Sequence, residues 1–193
     1  MAPARHSSIT RIAWLVAAVL VAWSSTAHTT EAVWAALRAP GSVVVVRHSY
    51  APGSFDPPDA RLDDCSTQRN LDDSGRAQAR RLGEAFRQRG IAVGRVLSSP
   101  RCRCLDTARL AFGRAEPWEV LQGALRDAAL RARRLAPVKQ AIATHRDGLP
   151  LVLVTHGSVV TDLTGLDIRM GAFAVLRRGA GDAHEVVGQL YVE

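Results

Sequence analysis

Short apolar runs alternate with longer amphipathic segments along most of this chain. The four valines Val43 to Val46 and the run Leu151 to Val154 are typical of strands buried on both faces of a parallel sheet. Apolar residues that recur at helical spacing, such as Ala79, Leu82 and Phe86, predict helices between the strands. The pattern therefore predicts an α/β fold, a single three-layer domain whose mostly parallel central sheet is flanked by helices.

Periodicity, capping residues and turn residues together give the bounds of the predicted elements. The predicted helices are about 31–38, 72–90 with Asp72 as the N-cap, 101–112, 128–144 with a bend at Pro137, and 158–164. The predicted strands are 42–47, 95–98, 118–121, 151–154, 172–176 and 185–192. Residues 49–71 are mostly polar and contain several prolines, which predicts a long irregular loop of the kind that often carries function.

The first 27 residues do not fit this domain. Arg5 and Arg11 precede an apolar run of 12 residues, Ile12 to Trp23, and a membrane-spanning helix needs roughly 20. Small residues follow, so the segment has the layout of a secretory signal peptide with Ser25-x-Ala27 as the predicted cleavage site. We therefore expect 28–193 to be the mature domain, exported to the periplasm or secreted. An uncleaved membrane anchor is the alternative interpretation.

The basic residues narrow the range of partners. The formal net charge is +7, and every basic residue except Lys139 is an arginine, whose planar guanidinium suits phosphate and carboxylate oxygens. Most of these arginines fall on predicted helix faces, where a solvated basic surface is the simplest interpretation. Binding to nucleic acid would need a basic stripe interleaved with aromatic residues, and these make up only 5% of the chain. We expect no nucleic-acid partner.

Three cysteines, Cys65, Cys102 and Cys104, would reach an oxidising compartment if the chain is exported. Cys102 and Cys104 lie two residues apart on a predicted helix, so their side chains diverge. Cys65 is therefore expected to form a disulfide with either Cys102 or Cys104. A lone Cys-x-Cys lacks a second pair of ligands at metal spacing, so no metal site is predicted.

Three predicted strands end in distinctive polar segments, which are Arg47-His48, Ser98-Ser99-Pro100 with Arg103, and Thr155-His156-Gly157. In open α/β sheets, ligands bind in the crevice beyond the carboxyl ends of the strands. Two histidines and two arginines are therefore predicted to face one pocket, although His48 and His156 are 108 residues apart. Each segment alone has a simpler interpretation as a structural histidine or an ordinary helix start, and the ordered set carries the prediction.

The three segments resemble the signatures of the histidine phosphatase superfamily, which has the phosphoglycerate mutase-like fold. The segment Arg69-Asn70-Leu71-Asp72-x-x-Gly75-x-x-Gln78-Ala79 also resembles the start of that family's first main helix. The resemblance runs from about Val43 to Gly165. The compact length resembles the small bacterial branch that includes phosphohistidine phosphatases.

The resemblance implies a role for each of these residues. His48 would attack phosphorus and carry the phosphoryl group covalently. Arg47 and Arg103 would bind the phosphoryl oxygens, and His156 would add a further donor to them. The pocket then supplies its own positive charge, so no metal or cofactor is expected.

Family members also use a carboxylate as the acid and base, and Leu125-Arg126-Asp127 matches its position. Asp127 is accordingly predicted to donate the proton to the leaving group. It is equally interpretable as the N-cap of the helix that begins at Ala128, and one residue could serve both roles. Glu119 is the second candidate for the acid.

Two features depart from the family pattern. Ser49 stands where a glycine is usual, and its hydroxyl is expected to alter the rim of the pocket. The threonine and asparagine with which many members bind phosphate are absent from 50–52, and Ser54 is a candidate to replace them.

The expected function is metal-independent hydrolysis of a phosphomonoester or a phosphohistidine outside the cytoplasm. The partner would be a small phosphorylated substrate or a phosphoprotein, with membrane contact only if the N-terminal segment is uncleaved. Phosphoglycerate mutase-type transfer is the enzymatic alternative, which export and the short chain disfavour. A non-catalytic phosphate-binding domain of the same fold is the third interpretation.

Overall fold

The structure is a computed structural model that describes residues 30–123, 127–179 and 183–193. The predicted signal segment, 1–27, lies outside the described residues. The strands in chain order are β1 (Val43–Arg47), β2 (Val96–Ser98), β3 (Glu116–Pro117), β4 (Leu151–Thr155), β5 (Phe173–Arg178) and β6 (His184–Leu190). They form a six-stranded sheet in the order β3-β2-β4-β1-β5-β6.

The sheet is mixed, with four parallel strands from one edge to the centre and two antiparallel strands at the other edge. β1 pairs in parallel with β4, β4 with β2, and β2 with β3. β5 and β6 extend the other edge by antiparallel pairing. Because β1, β2 and β4 run in the same direction, their carboxyl ends lie at one edge of the sheet.

Helices cover both faces of the sheet. They are α1 (30–36), α2 (Asp73–Gln88), α3 (Cys102–Phe112), α4 (Ala128–Thr144) and α5 (Gly157–Thr164). None of these described helices has the length and apolarity that crossing a membrane requires.

The valines of β1 show how the layers pack. Val44 and Val46 belong to one core cluster together with Phe86 of α2. Val43 and Val45 belong to a second cluster that includes residues of α4 and α5. Successive side chains of a strand point to opposite faces, so the run of valines is buried on both sides. The predicted three-layer α/β domain is confirmed.

The prediction of a strand at 118–121 is wrong. Only Glu116–Pro117 pairs with β2, and Glu119–Leu121 forms a 3₁₀ turn that buries Leu121. β3 lies at the edge of the sheet, where a proline is tolerated but cannot donate a hydrogen bond to a further strand. The apolar side chains of this segment therefore fill the core from a turn.

Candidate active site

The carboxyl ends of β1, β2 and β4 open onto a cavity of about 320 Å³. Its described lining residues are Arg47, His48, Ser54, Phe55, Asp56, Arg69, Arg101, Arg103, Gln122, Gly123, His156, Gly157 and Ser158. The structure thus brings together both histidines and both arginines that the sequence placed in one pocket. Ser54, the suggested replacement for the missing phosphate ligands, also lines the cavity.

His48 is buried directly after β1, and its two ring nitrogens have different surroundings. Nδ1 lies 2.8 Å from the carbonyl oxygen of Ser49, so Nδ1–H is the donor and Nε2 keeps its lone pair. Nε2 lies 3.5 Å from Nη2 of Arg69. Burial is the main reason that the pKa of His48 is lowered to about 3. The hydrogen bond to Ser49 acts to raise this pKa, and the charges of the neighbouring arginines lower it further. At neutral pH the imidazole is therefore uncharged.

Backbone contacts hold His48 in this orientation. The amide of Ser49 donates to Oγ1 of Thr107 (3.0 Å), and that hydroxyl donates to the carbonyl of Arg103 (2.7 Å). The amide of Gly171 approaches the carbonyl oxygen of His48 at 3.1 Å. Ser49 itself is fully buried behind His48 and is not among the described cavity residues. The expectation that its hydroxyl alters the rim is therefore wrong.

His156 lies opposite His48, with 5.4 Å between the ring centroids. Its Nε2 is 2.9 Å from Oγ of Ser99, the residue that follows β2. Its Nδ1 is 3.4 Å from Nη2 of Arg103. Burial, followed by the charge of Arg103, holds the pKa of His156 well below its usual value. Both histidines are thus neutral and hydrogen-bonding.

Arg47 occupies a space that Gly157 leaves open. A β-carbon on Gly157 would lie 3.1 Å from Cζ of Arg47. Nη1 of the same arginine donates to the carbonyl of Ile168 at 2.6 Å. The glycine of the Thr155-His156-Gly157 segment therefore makes room for the arginine that precedes His48.

The cavity contains two more arginines than the sequence predicted, Arg69 and Arg101. Arg69 donates from Nη1 to the carbonyls of Ala51 and Gly53, at 2.7 and 2.8 Å, and so ties two parts of the 49–71 loop together. The polar loop around Arg69 has no hydrophobic periodicity that would indicate which of its residues reach the cavity. The only available signal was its place in the segment that resembles the start of the family's first helix.

Several buried guanidinium nitrogens around the cavity have no hydrogen-bond partner among the described residues. They are Nε of Arg47, Arg69 and Arg103, and Nη1 of Arg101. Buried donors are normally satisfied, and leaving one unpaired costs about 1–3 kcal/mol. Together with the positive charge of the four arginines that line the cavity, these unpaired donors suit the site to an anion.

Asp56 is a further cavity residue that the sequence did not indicate. Its Oδ1 accepts a hydrogen bond from Nη1 of Arg103 at 2.8 Å and another from the backbone amide of Arg69 at 2.9 Å. The contact depends on the path of a 23-residue loop, which local pattern does not predict.

The structure resolves the two predicted disulfide pairings in favour of Cys65–Cys102. The bond joins the 49–71 loop to the first residue of α3, and the amide of Cys102 also donates to Oε1 of Gln68 at 3.0 Å. Cys104 is free and buried, with Sγ 3.6 Å from Nε2 of His156. Burial raises the pKa of Cys104 to about 12, so it is a neutral thiol.

Asp127 is the N-cap of α4, which is one of the two roles predicted for it. Its Oδ1 accepts from the amide of Leu130 at 2.9 Å, and the residue is exposed. Neither Asp127 nor Glu119, which is also exposed, is among the described residues of the cavity. Leu125 and Arg126 lie outside the described residues. The catalytic role of Asp127 stays a prediction.

Taken together, a neutral buried histidine, a second histidine and four arginines at the carboxyl edge of an α/β sheet define a candidate phosphate site. The family model of the histidine phosphatase superfamily, branch 1, matches residues 43–127. Residues 43–127 are therefore similar in sequence to the histidine phosphatase superfamily, and solved phosphatase structures share the fold over 78% of this chain. No curated protein matches the sequence.

Solved structures share the fold at low sequence identity. The protein histidine phosphatase SixA in complex with tungstate has a TM-score of 0.53 and 18% identity, over 78% of this chain and 96% of that one. An open reading frame of Mycobacterium tuberculosis has a TM-score of 0.59 and 17% identity, over 79% and 98%. The mycobacterial glucosyl-3-phosphoglycerate phosphatase has a TM-score of 0.52 and 18% identity, over 78% and 98%.

Proposed function

We propose that this protein is a metal-independent phosphatase that hydrolyses a phosphomonoester or a phosphohistidine through a covalent phosphohistidine on His48. One observation carries the proposal. The neutral Nε2 of His48 lies beside a cavity that is lined by four arginines. A lone pair surrounded by fixed cations fits phosphoryl transfer, in which catalysis is mainly positioning and charge stabilisation.

In the first step Nε2 of His48 attacks phosphorus, and the bond to the leaving oxygen breaks. Nδ1–H stays on the ring and donates to the carbonyl of Ser49, which stabilises the positive charge that develops on the imidazole. Arg47, Arg69 and Arg103 bind the non-bridging oxygens with charge-assisted hydrogen bonds.

His156 supplies a further donor in this proposal. A guanidinium can only donate, so in the structure Nδ1 of His156 accepts from Nη2 of Arg103 and Nε2–H donates to the hydroxyl of Ser99. In the proposed mechanism substrate binding switches the tautomer, so that the hydroxyl of Ser99 donates to Nε2 and Nδ1 carries the proton. An entering phosphoryl oxygen then accepts from Nδ1–H and from Arg103 together. In the second step, water attacks the phosphohistidine and releases inorganic phosphate and neutral His48.

The names of the structural neighbours indicate only a broad class of substrate, a phosphorylated compound or protein. One of them is a protein histidine phosphatase and another is a phosphatase of a phosphorylated sugar derivative. For this chain we propose a small phosphorylated substrate or a phosphoprotein. The Cys65–Cys102 disulfide supports the accompanying proposal that the chain is exported to the periplasm or secreted, because disulfides persist in oxidising compartments.

The test is hydrolysis of p-nitrophenyl phosphate by the protein without its first 27 residues. We expect His48→Ala to abolish turnover, and acid-labile phosphate to appear on the wild-type protein during turnover. His184→Ala is the matched control, because His184 bonds to the carbonyl of Leu163 and does not line the cavity. Full activity of His48→Ala would refute the mechanism.

Two further results would favour the alternatives. Transfer of phosphate between positions of phosphoglycerate would indicate a mutase. Binding of inorganic phosphate without hydrolysis of any phosphorylated compound in a broad screen would indicate a non-catalytic phosphate-binding domain.

A further inference from the structure

Cleavage of a phosphate ester needs a proton for the leaving oxygen, and the described site offers one carboxylate within reach. Asp56 is the only Asp or Glu among the described residues that line the cavity. Its side chain is 14% exposed. Asp127, in contrast, is exposed and bonds to the amide of Leu130 at the start of α4.

The contacts of Asp56 place it next to the phosphoryl site. Nη1 of Arg103 lies 2.8 Å from Oδ1 and 3.1 Å from Oδ2 of Asp56. Nη2 of the same guanidinium lies 3.4 Å from Nδ1 of His156. The guanidinium that would bind the phosphoryl group therefore has the carboxylate on one side and the histidine on the other.

The charges around Asp56 change when a substrate enters. The charged and titratable cavity groups around it are Arg103 of α3, Arg101 just before that helix, Arg69 of the loop, Arg47 at the end of β1, His48 directly after it, and His156 after β4. Burial acts to raise the pKa of Asp56, but the hydrogen bonds from Arg69 and Arg103 and the charges of Arg103 and Arg101 outweigh it and lower the pKa.

A bound phosphate ester reverses this balance. It competes for Nη1 of Arg103, so the carboxylate loses a hydrogen bond that favours its charged form. It also adds two negative charges to the cavity, which favour the neutral acid. Substrate binding is therefore expected to raise the pKa of Asp56, which favours the acid form in the complex.

We propose that Asp56 is the proton donor to the leaving oxygen and, in the second step, the base that activates water. The proposal rests on the phosphatase function proposed above. As Nε2 of His48 bonds to phosphorus, the P–O bond breaks, and the carboxyl proton of Asp56 passes to the leaving oxygen to give an alcohol. The carboxylate then takes a proton from water as its oxygen bonds to phosphorus and the P–N bond breaks, which returns Asp56 to its acid form and His48 to its neutral form.

Leaving groups of different basicity test the proposal. An alkyl phosphate such as glycerol 2-phosphate needs protonation of its leaving oxygen, whereas the p-nitrophenolate of p-nitrophenyl phosphate leaves with little help. We expect Asp56→Asn to lower the single-turnover rate of glycerol release from glycerol 2-phosphate by on the order of 100-fold or more, as for loss of a general acid. The single-turnover release of p-nitrophenolate should fall far less, which also shows that the variant folds, whereas steady-state turnover of both substrates should fall because the second step loses its base.

Asp127→Asn is the matched control, since it makes the same chemical change at the carboxylate on α4. We expect it to keep the wild-type ratio of the two single-turnover rates. Equal losses of the single-turnover rate on both substrates in Asp56→Asn would overturn the proposal, and so would a gain on both, because Asp56 would then only compete for Arg103. A leaving-group-selective loss in Asp127→Asn alone would assign the acid to Asp127.

The two proposals fail in different ways. If His48→Ala were as active as wild type on p-nitrophenyl phosphate, the covalent mechanism would be wrong. If His48→Ala is inactive and Asp56→Asn treats both substrates alike in single turnover, only the role of Asp56 is wrong.

Discussion

At the scale of single residues, the site depends on side chains that are held by their immediate neighbours. Gly157 leaves space for the guanidinium of Arg47, and Ser49 orients His48 through its carbonyl oxygen. Small changes at such positions should alter activity more than stability, because they displace a catalytic side chain without removing core packing.

The substitution Gly157→Ala tests this at Arg47. The added β-carbon would lie 3.1 to 3.3 Å from three guanidinium atoms, so the arginine has to move by a few tenths of an ångström. We expect kcat/KM for p-nitrophenyl phosphate to fall by about tenfold, since small misplacements of a binding group cost up to about 100-fold. Steady-state kinetics measures the change. Gly148→Ala is the control, because a β-carbon added there would meet nothing within 4 Å, and an equal loss there would contradict the explanation.

At the scale of elements, the disulfide connects the two segments that complete the cavity. Cys65 lies in the loop that carries Asp56 and Arg69, and Cys102 begins the helix that carries Arg103. A covalent link between them restricts how far the loop can move away from the arginines of α3.

The double substitution Cys65→Ser and Cys102→Ser should therefore lower both stability and activity. A disulfide across a 37-residue separation contributes about 4 kcal/mol by the loop-closure argument. Urea unfolding and p-nitrophenyl phosphate turnover measure the two effects. A dithiol reductant should reproduce them in the wild type and leave the double variant unchanged. If the reduced wild type kept full activity, the disulfide would not be needed to hold the cavity.

The elements also show which parts of the site the sequence predicts. His48 and His156 were predictable because each lies two positions after a short run of apolar residues that is typical of a buried strand, and parallel strands bring their carboxyl ends together. Asp56 and Arg69 were not, because their positions depend on the path of a long loop and on the disulfide. The prediction of a strand at 118–121 was wrong because apolar side chains can fill a core from a turn as well as from a strand.

At the scale of the whole molecule, the fold buries two neutral histidines beside four arginines. The imidazolium form of His48 is excluded by burial and by the positive charges around it. In the unfolded chain the same histidine titrates at its ordinary pKa of 6.5. Below that pH the unfolded state binds a proton that the folded state does not, so acid should destabilise the fold.

This linkage gives the expected pH dependence of stability. Because the folded pKa of His48 is about 3, stability falls as the pH decreases from 6.5 towards 3, by about 2 kcal/mol for this residue between pH 7 and pH 5. His156 acts in the same direction. The substitution His48→Asn should remove this part of the difference in urea-unfolding free energy between the two pH values, while His184→Asn should leave it unchanged. An unaltered difference in His48→Asn would mean that His48 has the same pKa in the folded and the unfolded protein, so burial would not be what keeps the proposed nucleophile neutral.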